Sequence, residues 1–486
     1  MSSFHSKTRY SQKLTGLALG GLLALFSHST WACSDFMLVG AQPILIGALR
    51  PVVSARTLDF PADLGNKFIM VPRGVKWKSR APFDKPGATN DDQFGKPEDW
   101  RGVSWTNQYG FIGLNAPTMF PRTPWTFFDG INEVGLSSGS SWMTDTKYPR
   151  PNDKDILDKK ALSNLDFIAW VLGNFKTVAE VKAALQANKV VVWGEEAKIP
   201  KQSDPTHFDN EHSDSIAIPA HVMLHDATGE SLVIEFTGDS KDENAPGVIR
   251  FYDRTTNKDF VDVLTNSPSY PEQLKNLETY KEQVCGFRTE KDPNLQKGST
   301  NYIEGLKGIP GDMSRMSRFV TLAKVSKCTM SDWDKSENSR MKIVPVEDNP
   351  LKTEDDAVQT AWKVIARAER PRNESADPME IDVASVLKLI GLDWDLDLKL
   401  NVFPMEWNLL TLVRVHAPKS EITDKSMSKI YFRSADNQSI RLIDLGQLDF
   451  GKSDVKTPDK LHTFWEADES RYTKAQDVTS LSKSTP

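Results

Sequence analysis

The stretch Ser27-His28-Ser29-Thr30-Trp31-Ala32-Cys33-Ser34-Asp35-Phe36-Met37-Leu38-Val39-Gly40 runs from the end of an export leader into the start of a β-strand, with a cysteine at the join. Upstream, Lys7, Arg9 and Lys13 form a basic patch without an acid, and an apolar run from Leu14 to Phe26 follows. Basic start, apolar middle and small-residue end are the three parts of a secretory signal peptide. The apolar run is shorter than the ~20 residues a spanning helix needs. Ala32 and Thr30 occupy the positions one and three before the cut, where the processing peptidase wants small side chains. Cutting there leaves Cys33 with a free α-amino group. The competing reading is a lipoprotein whose Cys33 carries lipid and serves a non-catalytic, anchored binding protein. Bulky Trp31 fits that pathway badly. The expectation is a leader over 1–32 and a periplasmic or secreted mature chain.

Of the 486 residues, 39% are hydrophobic and 26% charged, the composition of a globular protein. Removing three positive charges with the leader takes the net charge from −6 to −9, which argues against nucleic acid and anionic membrane as partners. The three cysteines, Cys33, Cys285 and Cys328, are too few for a disulfide-stapled scaffold. Cys285 and Cys328 fit a disulfide or two free thiols equally well.

Phe36 to Val39, closed by Gly40, reads as a strand; Ile44 to Ile46 and Val52 to Ala55 read as further short runs. Residues 72–128, rich in Pro, Gly, Lys and Asp, read as an irregular excursion. Leu165 to Asn188 has helical spacing broken at Gly173-Asn174, hence two helices. His221 to His225 and Leu232 to Phe236 flank Asp226-Ala227-Thr228-Gly229-Glu230, a hairpin pattern. Val261 to Leu264 reads as a strand, Asp355 to Arg370 and Ile381 to Ile390 as helices, and Leu409 to Val415, Ile430 to Arg433 and Ile440 to Ile443 as strands. This blocked order predicts an α+β fold in one domain over 33–450, with a fraying polar tail over 451–486.

A terminal cysteine brings nucleophile and base together: the thiol attacks, and the α-amine, with a pKa of ~7.7–8.0, takes its proton. The thiol needs a positive neighbour to ionise, and the amine a carboxylate to orient it. Arg56-Thr57-Leu58-Asp59 offers both. Read without further context, these two are an ordinary ion pair, and Asn266 before Ser267-Pro268 is an ordinary turn residue.

Cys33, Arg56-x-x-Asp59, Asp129-Gly130-Ile131-Asn132-Glu133-Val134-Gly135-Leu136, Trp170-Val171-Leu172-Gly173-Asn174-Phe175, Leu264-Thr265-Asn266-Ser267-Pro268 and Gly308-Ile309-Pro310-Gly311-Asp312 leading to Ser317-Arg318-Phe319 occur in that order. In this the chain resembles the choloylglycine hydrolase family of N-terminal nucleophile hydrolases, which includes bile salt hydrolases and penicillin V acylases. The resemblance runs from Cys33 to about Leu445. It implies a four-layer αββα sandwich and cleavage of a linear amide through a thioester on Cys33. Arg56 would steady the thiolate, Asp59 hold the amine, Asn266 donate to the oxyanion and Arg318 fix the surrounding polar network. Arg315 rivals Arg318 for its slot. The substrate would be a small amide with an apolar acyl group, cleaved without cofactor or metal, and the protein a homo-oligomer.

Trp142 stands where many members carry Asn or Tyr; an indole cannot replace that amide at the oxyanion, so either the backbone N–H there serves instead or Trp142 lines the acyl pocket. The leader and the excursion before Phe128 resemble the exported Gram-negative branch, which includes acyl-homoserine lactone acylases. Three other patterns read as structural. Gly135-Leu136-Ser137-Ser138-Gly139 spells a serine nucleophile elbow, but the residues after it do not start a helix. His221 and His225 sit on a strand and lack the zinc-protease Glu. Asp393, Asp395 and Asp397 lack the glycine and distant Glu of a calcium loop.

Overall fold

A computed structural model describes residues 33–40, 50–60, 64–82, 100–120, 125–200, 213–238, 245–283, 285, 287–290, 301–304, 306–330, 351–370, 374–375, 379–382, 399–402, 405–420, 423–451, 455–461, 463–466 and 476–477. Its central strands are Ser34–Val39 (β1), Val52–Phe60 (β2), Lys67–Val71 (β3), Phe111–Asn115 (β4), Phe127–Asn132 (β5), Ser137–Trp142 (β6), Ala220–His225 (β7), Ser231–Thr237 (β8), Val248–Tyr252 (β9), Val263–Thr265 (β10), Met405–Val415 (β11), Lys429–Ser434 (β12), Arg441–Asp444 (β13) and Thr463–Glu466 (β14). They form two sheets. The first runs β10-β1-β2-β11-β12-β13 with Gln476–Asp477 added in parallel at its edge, and the second runs β9-β8-β7-β6-β5-β4-β3-β14. The named neighbours pair antiparallel.

The main helices are Phe167–Asn174 (α1), Val178–Gln186 (α2), Tyr270–Glu278 (α3), Arg315–Met330 (α4) and Glu354–Ile365 (α5). Phe319 and Leu322 of α4, with Ala357, Ala361 and Ile365 of α5, pack on Phe36, Leu38, Val53, Ala55 and Val413 of the first sheet. Ile168, Leu172, Val181 and Leu185 of α1 and α2 pack on Val222, Leu224, Leu232 and Ile234 of the second. Helix, sheet, sheet, helix is the order of layers that the family resemblance implies. Because both faces of each sheet are covered, β1 and β2 read as nearly continuous buried runs rather than alternating ones. Helix α5 starts at a capping box of Thr353 and Asp356, with Glu354 and Asp355 also in its positive first turn. The β7–β8 hairpin turns at Gly229, whose φ of +85° suits glycine.

Several elements differ from the sequence reading. The excursion over 72–128 contains β4, inside the second sheet, and a ribbon of Lys76–Lys78 with Ser104–Thr106 in which Trp77 and Trp105 stack at 5.5 Å. Five residues of strand, Phe-Ile-Gly-Leu-Asn, are too few to stand out from a Pro- and Gly-rich background. The helix expected from Ile381 begins instead as a strand, Met379–Asp382, paired with Lys399–Val402; short apolar runs fit either period. The polar tail contributes β14 at the edge of the second sheet, against β3. Ile44 to Ile46, Asp393, Asp395 and Asp397 lie outside the described residues. Cys285 and Cys328 form a disulfide that ties the chain ahead of α4 to its C-terminal end. Among the described residues, no helix is long and apolar enough to cross a membrane.

Candidate active site

Strand register assembles the site. Ser34 of β1 pairs with Thr265 of β10 on one side and Thr57 of β2 on the other, and Asp35 pairs with Arg56. One step back from Ser34, Cys33 therefore meets Asn266, one step beyond Thr265. The Cys33 N–H donates to Asn266 Oδ1 at 2.8 Å. Asn266 Nδ2 is buried and has no hydrogen-bond partner among the described residues. This is a donor held in reserve beside the cysteine, at a position where leaving it unpaired costs stability.

The turn carrying Asn266 is gripped by one buried side chain. Gln273 of α3 donates through Nε2 to the carbonyls of Asn266 and Pro268, each at 2.8 Å, and accepts at Oε1 from Thr265 N (3.2 Å) and Thr265 Oγ1 (3.1 Å). On its other side, Ser267 N donates to the Trp142 carbonyl at 2.8 Å, and Ser267 Oγ accepts from Thr144 N at 2.7 Å. Trp142 itself is in the buried apolar cluster between the sheets that includes Cys33, Leu58, Phe128 and Ile218.

Thr57 and Asp59 lie two residues apart on β2. Thr57 Oγ1 accepts the Ser34 N–H at 3.1 Å and donates to Asp59 Oδ2 at 3.3 Å. From α4, Arg318 Nη1 reaches Ser34 Oγ at 2.6 Å and Asp59 Oδ2 at 3.2 Å, while its Nε donates to the Met313 carbonyl at 3.1 Å. Arg315 meets this region through its backbone: its carbonyl accepts from Thr265 Oγ1. Arg318 is thus the one joined to Asp59. The Cys33 N–H goes to Asn266 rather than to Asp59, whose Oδ1 is buried without a partner among the described residues.

Burial pushes the Cys33 thiol above its ordinary pKa; Arg56 pulls it back, the Asp59 charge adds to the rise, and the Asp59 backbone N–H and Arg318 oppose it. Burial also pushes the Asp59 carboxyl up to about 7, against Arg318, Arg370 and the Thr57 bond and with help from Glu369.

Sequence reasoning missed what lies behind Arg56. Its Nε faces Asp129 Oδ2 at 3.3 Å and its Nη1 faces Asp35 Oδ2 at 3.5 Å, and Nη2 donates to the Ser140 carbonyl. Arg414 of β11 holds the same two carboxylates, both oxygens of each, at 2.9–3.1 Å. Asp35 also meets His225 Nε2 at 3.2 Å. Its carboxyl, which burial alone would raise, is held well below the usual range by Arg414, His225 and Arg56. His416 lies next, between the Gly135 carbonyl and Ser54 Oγ; burial, then His225 and Arg414, keep it neutral. The signal was present as Ser54-x-Arg56 and Arg414-x-His416, polar residues at period two inside apolar strand runs.

Ser137 and Gly139 lie within β6, which continues as strand to Trp142, so no nucleophile elbow forms. A Cβ on Gly139 would lie 2.7 Å from both Arg56 Nη1 and Asp129 Oδ2; the glycine makes room for that ion pair. His221 sits between Glu235 Oε1 (3.2 Å) and the Thr265 carbonyl (2.7 Å), bracing the strand that leads to Asn266. Among the described residues, no group of three His, Cys, Asp or Glu side chains is placed to hold a metal. A cleft of about 30 Å³ lined by Tyr148, Phe167, Ile218 and Phe236 does not include Cys33 and is far smaller than an acyl pocket.

Similarity to known proteins agrees with this fold. The bile salt hydrolase/transferase of Clostridium perfringens is 30% identical over 273 residues, 55% of this chain and 66% of that protein. The penicillin V acylase of Pectobacterium atrosepticum is 29% identical over 238 residues, 48% of this chain and 50% of that one. The chain thus spans between half and about two thirds of the length of these relatives. The solved penicillin V acylase of Agrobacterium tumefaciens superposes with a TM-score of 0.54 at 18% identity, covering 93% of this chain and 96% of that one. The profile of the linear amide C–N hydrolases of the choloylglycine hydrolase family matches residues 48–345, which takes in Arg56, Asp59, Trp142, Asn266 and Arg318 and begins after Cys33. Matched over more than half its length, the chain belongs to the choloylglycine hydrolase family.

Proposed function

We propose that this protein hydrolyses a linear amide with Cys33 as nucleophile, once removal of residues 1–32 makes Cys33 the terminal residue. The observation that carries this reading is the pairing of Cys33 N with Asn266 Oδ1 at 2.8 Å while Asn266 Nδ2 is buried and unpaired. In the uncut chain the Cys33 nitrogen has one proton, and Asn266 accepts it. As a terminal amine it has more to give, and the unpartnered Asp59 Oδ1 is a nearby acceptor. The amine takes the thiol proton, and the sulfur attacks the amide carbonyl carbon. Asn266 Nδ2 donates to the oxyanion that forms. The proton then passes to the leaving amine as the C–N bond breaks, leaving an acyl thioester that water cleaves to a carboxylic acid.

Arg56 and Arg318 favour the thiolate against the burial that opposes it. Export to an oxidising compartment is supported by the leader pattern and by the Cys285–Cys328 disulfide. An acyl half that is apolar or aromatic suits the cluster of Trp142, Phe128 and Leu58 packed with Cys33. Phenoxyacetyl, fatty acyl and steroid groups are therefore the acyl classes to try.

Mass spectrometry of the exported protein is expected to find Cys33 at the N-terminus with a free amine; a lipid-modified Cys33 would point to an anchored binding protein. Penicillin V, conjugated bile salts and acyl-homoserine lactones form the substrate panel. At least one should be cleaved, and the Cys33→Ala variant should cleave none.

A further inference from the structure

Resting on the reading of Cys33 as nucleophile, we propose that Arg414 is a positioning residue: by locking Asp35 and Asp129 it holds the Arg56 guanidinium where it favours the Cys33 thiolate.

The Coulomb effect of Arg56 on the sulfur depends on where the end of a long, flexible side chain sits. Two carboxylates could draw it away, Asp35 from the first sheet and Asp129 from the second. Arg414 engages both. Nη1 bonds both oxygens of Asp129 at 2.9 Å, Nη2 bonds both oxygens of Asp35 at 3.1 and 2.9 Å, and Nε donates to Ser54 Oγ at 3.0 Å. Register places it there: Arg414 pairs with Ser54 on β2, two residues from Arg56. Each carboxylate is thereby shared between two guanidiniums.

Charge balance gives the sign. Two arginines and two aspartates cancel, so a thiolate beside Arg56 meets no net opposing charge from this cluster. Without Arg414, Arg56 faces two carboxylates alone, the cluster turns net negative, and thiolate formation is opposed. The other titratable or charged groups in reach are His225 on Asp35, neutral His416 on Ser54, and, on the far side of the thiol, Asp59 with Arg318, Arg370 and Glu369. None of these contacts Asp129, so none replaces Arg414 at that carboxylate. Four buried charges are also an expensive way to fill a sheet interface, since apolar side chains of similar volume often serve stability as well or better.

The test is a spectroscopic titration. With Cys285 and Cys328 bonded to each other, Cys33 is the remaining thiol of the chain, so ultraviolet thiolate absorbance, with the tyrosine signal of Cys33→Ala subtracted, reports on it. In folded Arg414→Met, the midpoint should move up by about one pH unit, and kcat on the acid side should fall roughly tenfold with KM little changed. Asp129→Asn added to Arg414→Met rebalances the charge and should return most of the shift, and Asp129→Asn alone should move the midpoint down. Should Arg414→Met not fold, Arg414→Lys keeps the charge but gives up the paired contacts and should shift the midpoint upward by less. A midpoint unchanged in either folded Arg414 variant, or no return in the double variant, overturns the proposal. Activity surviving in Cys33→Ala would instead defeat the nucleophile reading, while the titration would still report on Arg414.

Discussion

Asn266 Oδ1 accepts the Cys33 N–H at 2.8 Å across 233 positions of sequence, and the same amide keeps its Nδ2 unpaired in the interior. One side chain thus faces the cysteine with an acceptor used and a donor unused. Asn266→Asp keeps the acceptor and replaces the donor by a second oxygen. Under the proposed mechanism kcat should fall about 10²–10³-fold, the usual cost of losing one oxyanion donor, with KM changed far less. Steady-state kinetics on whichever amide is cleaved checks this. An equal loss in 1/KM with kcat intact would assign Asn266 to substrate binding instead.

Asp59 gives a pH dependence of stability with a definite sign. Its folded carboxyl keeps its proton up to about 7, whereas in the unfolded chain the proton leaves near the ordinary aspartate value of 3.8. Between those values the folded state binds more protons, so the contribution of this residue to stability falls as pH rises, by at most about 1.4 kcal/mol per pH unit for one proton. Below the unfolded value the dependence vanishes, and above about 7 it is constant. Asp59→Asn, which does not titrate, should flatten thermal stability against pH across this window. The comparison needs only melting curves of the two proteins at a series of pH values, and parallel curves would rule out a shifted Asp59.

The layered fold was legible because the stretch after Cys33 reads as a strand and because strand and helix patterns come in blocks. Cys33, Arg56, Asp59, Asn266 and Arg318 were legible as candidates through their motifs; strand register gathers the first four, and α4 brings Arg318 to Asp59. Asp35 and Arg414 were given no part in the site, and Asp129 entered only as the first residue of a motif. A charged residue in a strand pattern normally marks a solvent face, and whether it points instead into a second sheet depends on pairing that no local window contains. The same holds for Gln273, which looks like a surface position of an amphipathic helix and is in fact fully buried. β4 was missed for the opposite reason: too short a run, in a segment whose composition suggested irregular structure.

Gln273 is expected to matter beyond its place in the core. Its amide makes four bonds to the backbone and side chain of Thr265, Asn266 and Pro268. Gln273→Ala leaves buried donors and acceptors without partners, at about 1–3 kcal/mol for each group not rescued by water. Gln273→Glu keeps the acceptor side and loses the Nε2 donations. Both variants should lower the melting temperature, and both should reduce kcat by loosening the Asn266 turn. A stability loss with unchanged kcat would limit Gln273 to a structural part.

The disulfide joins Cys285 to Cys328 across 43 positions, so the unfolded chain loses a long loop's worth of freedom. Chain-entropy arguments put the stabilisation at about 4 kcal/mol for a loop of this size. Replacing both cysteines by serine should therefore lower the melting temperature by several degrees. Activity at low temperature should survive, because Arg318 is held at the other part of α4 by Ser34, Asp59 and the Met313 carbonyl. A melting temperature unmoved by the double replacement would mean that the bridge adds nothing to folding.

Ser137 and Gly139 separate the two nucleophile readings by opposite outcomes. Ser137 Oγ is buried at the start of β6 with no hydrogen-bond partner among the described residues, so it has no base to activate it. Ser137→Ala removes an unpaired polar atom from the interior, and stability should hold or rise slightly while activity stays within about twofold. Gly139→Ala does the reverse. The added methyl would lie 2.7 Å from Arg56 Nη1 and from Asp129 Oδ2, and both groups are fully enclosed, with other bonds fixing them in place. Crowding there should cost about 1–3 kcal/mol of stability. Because what moves is the guanidinium beside Cys33, kcat should fall more steeply than the stability loss alone explains. Activity lost in Ser137→Ala but kept in Gly139→Ala would reverse the assignment and move the nucleophile from sulfur to serine.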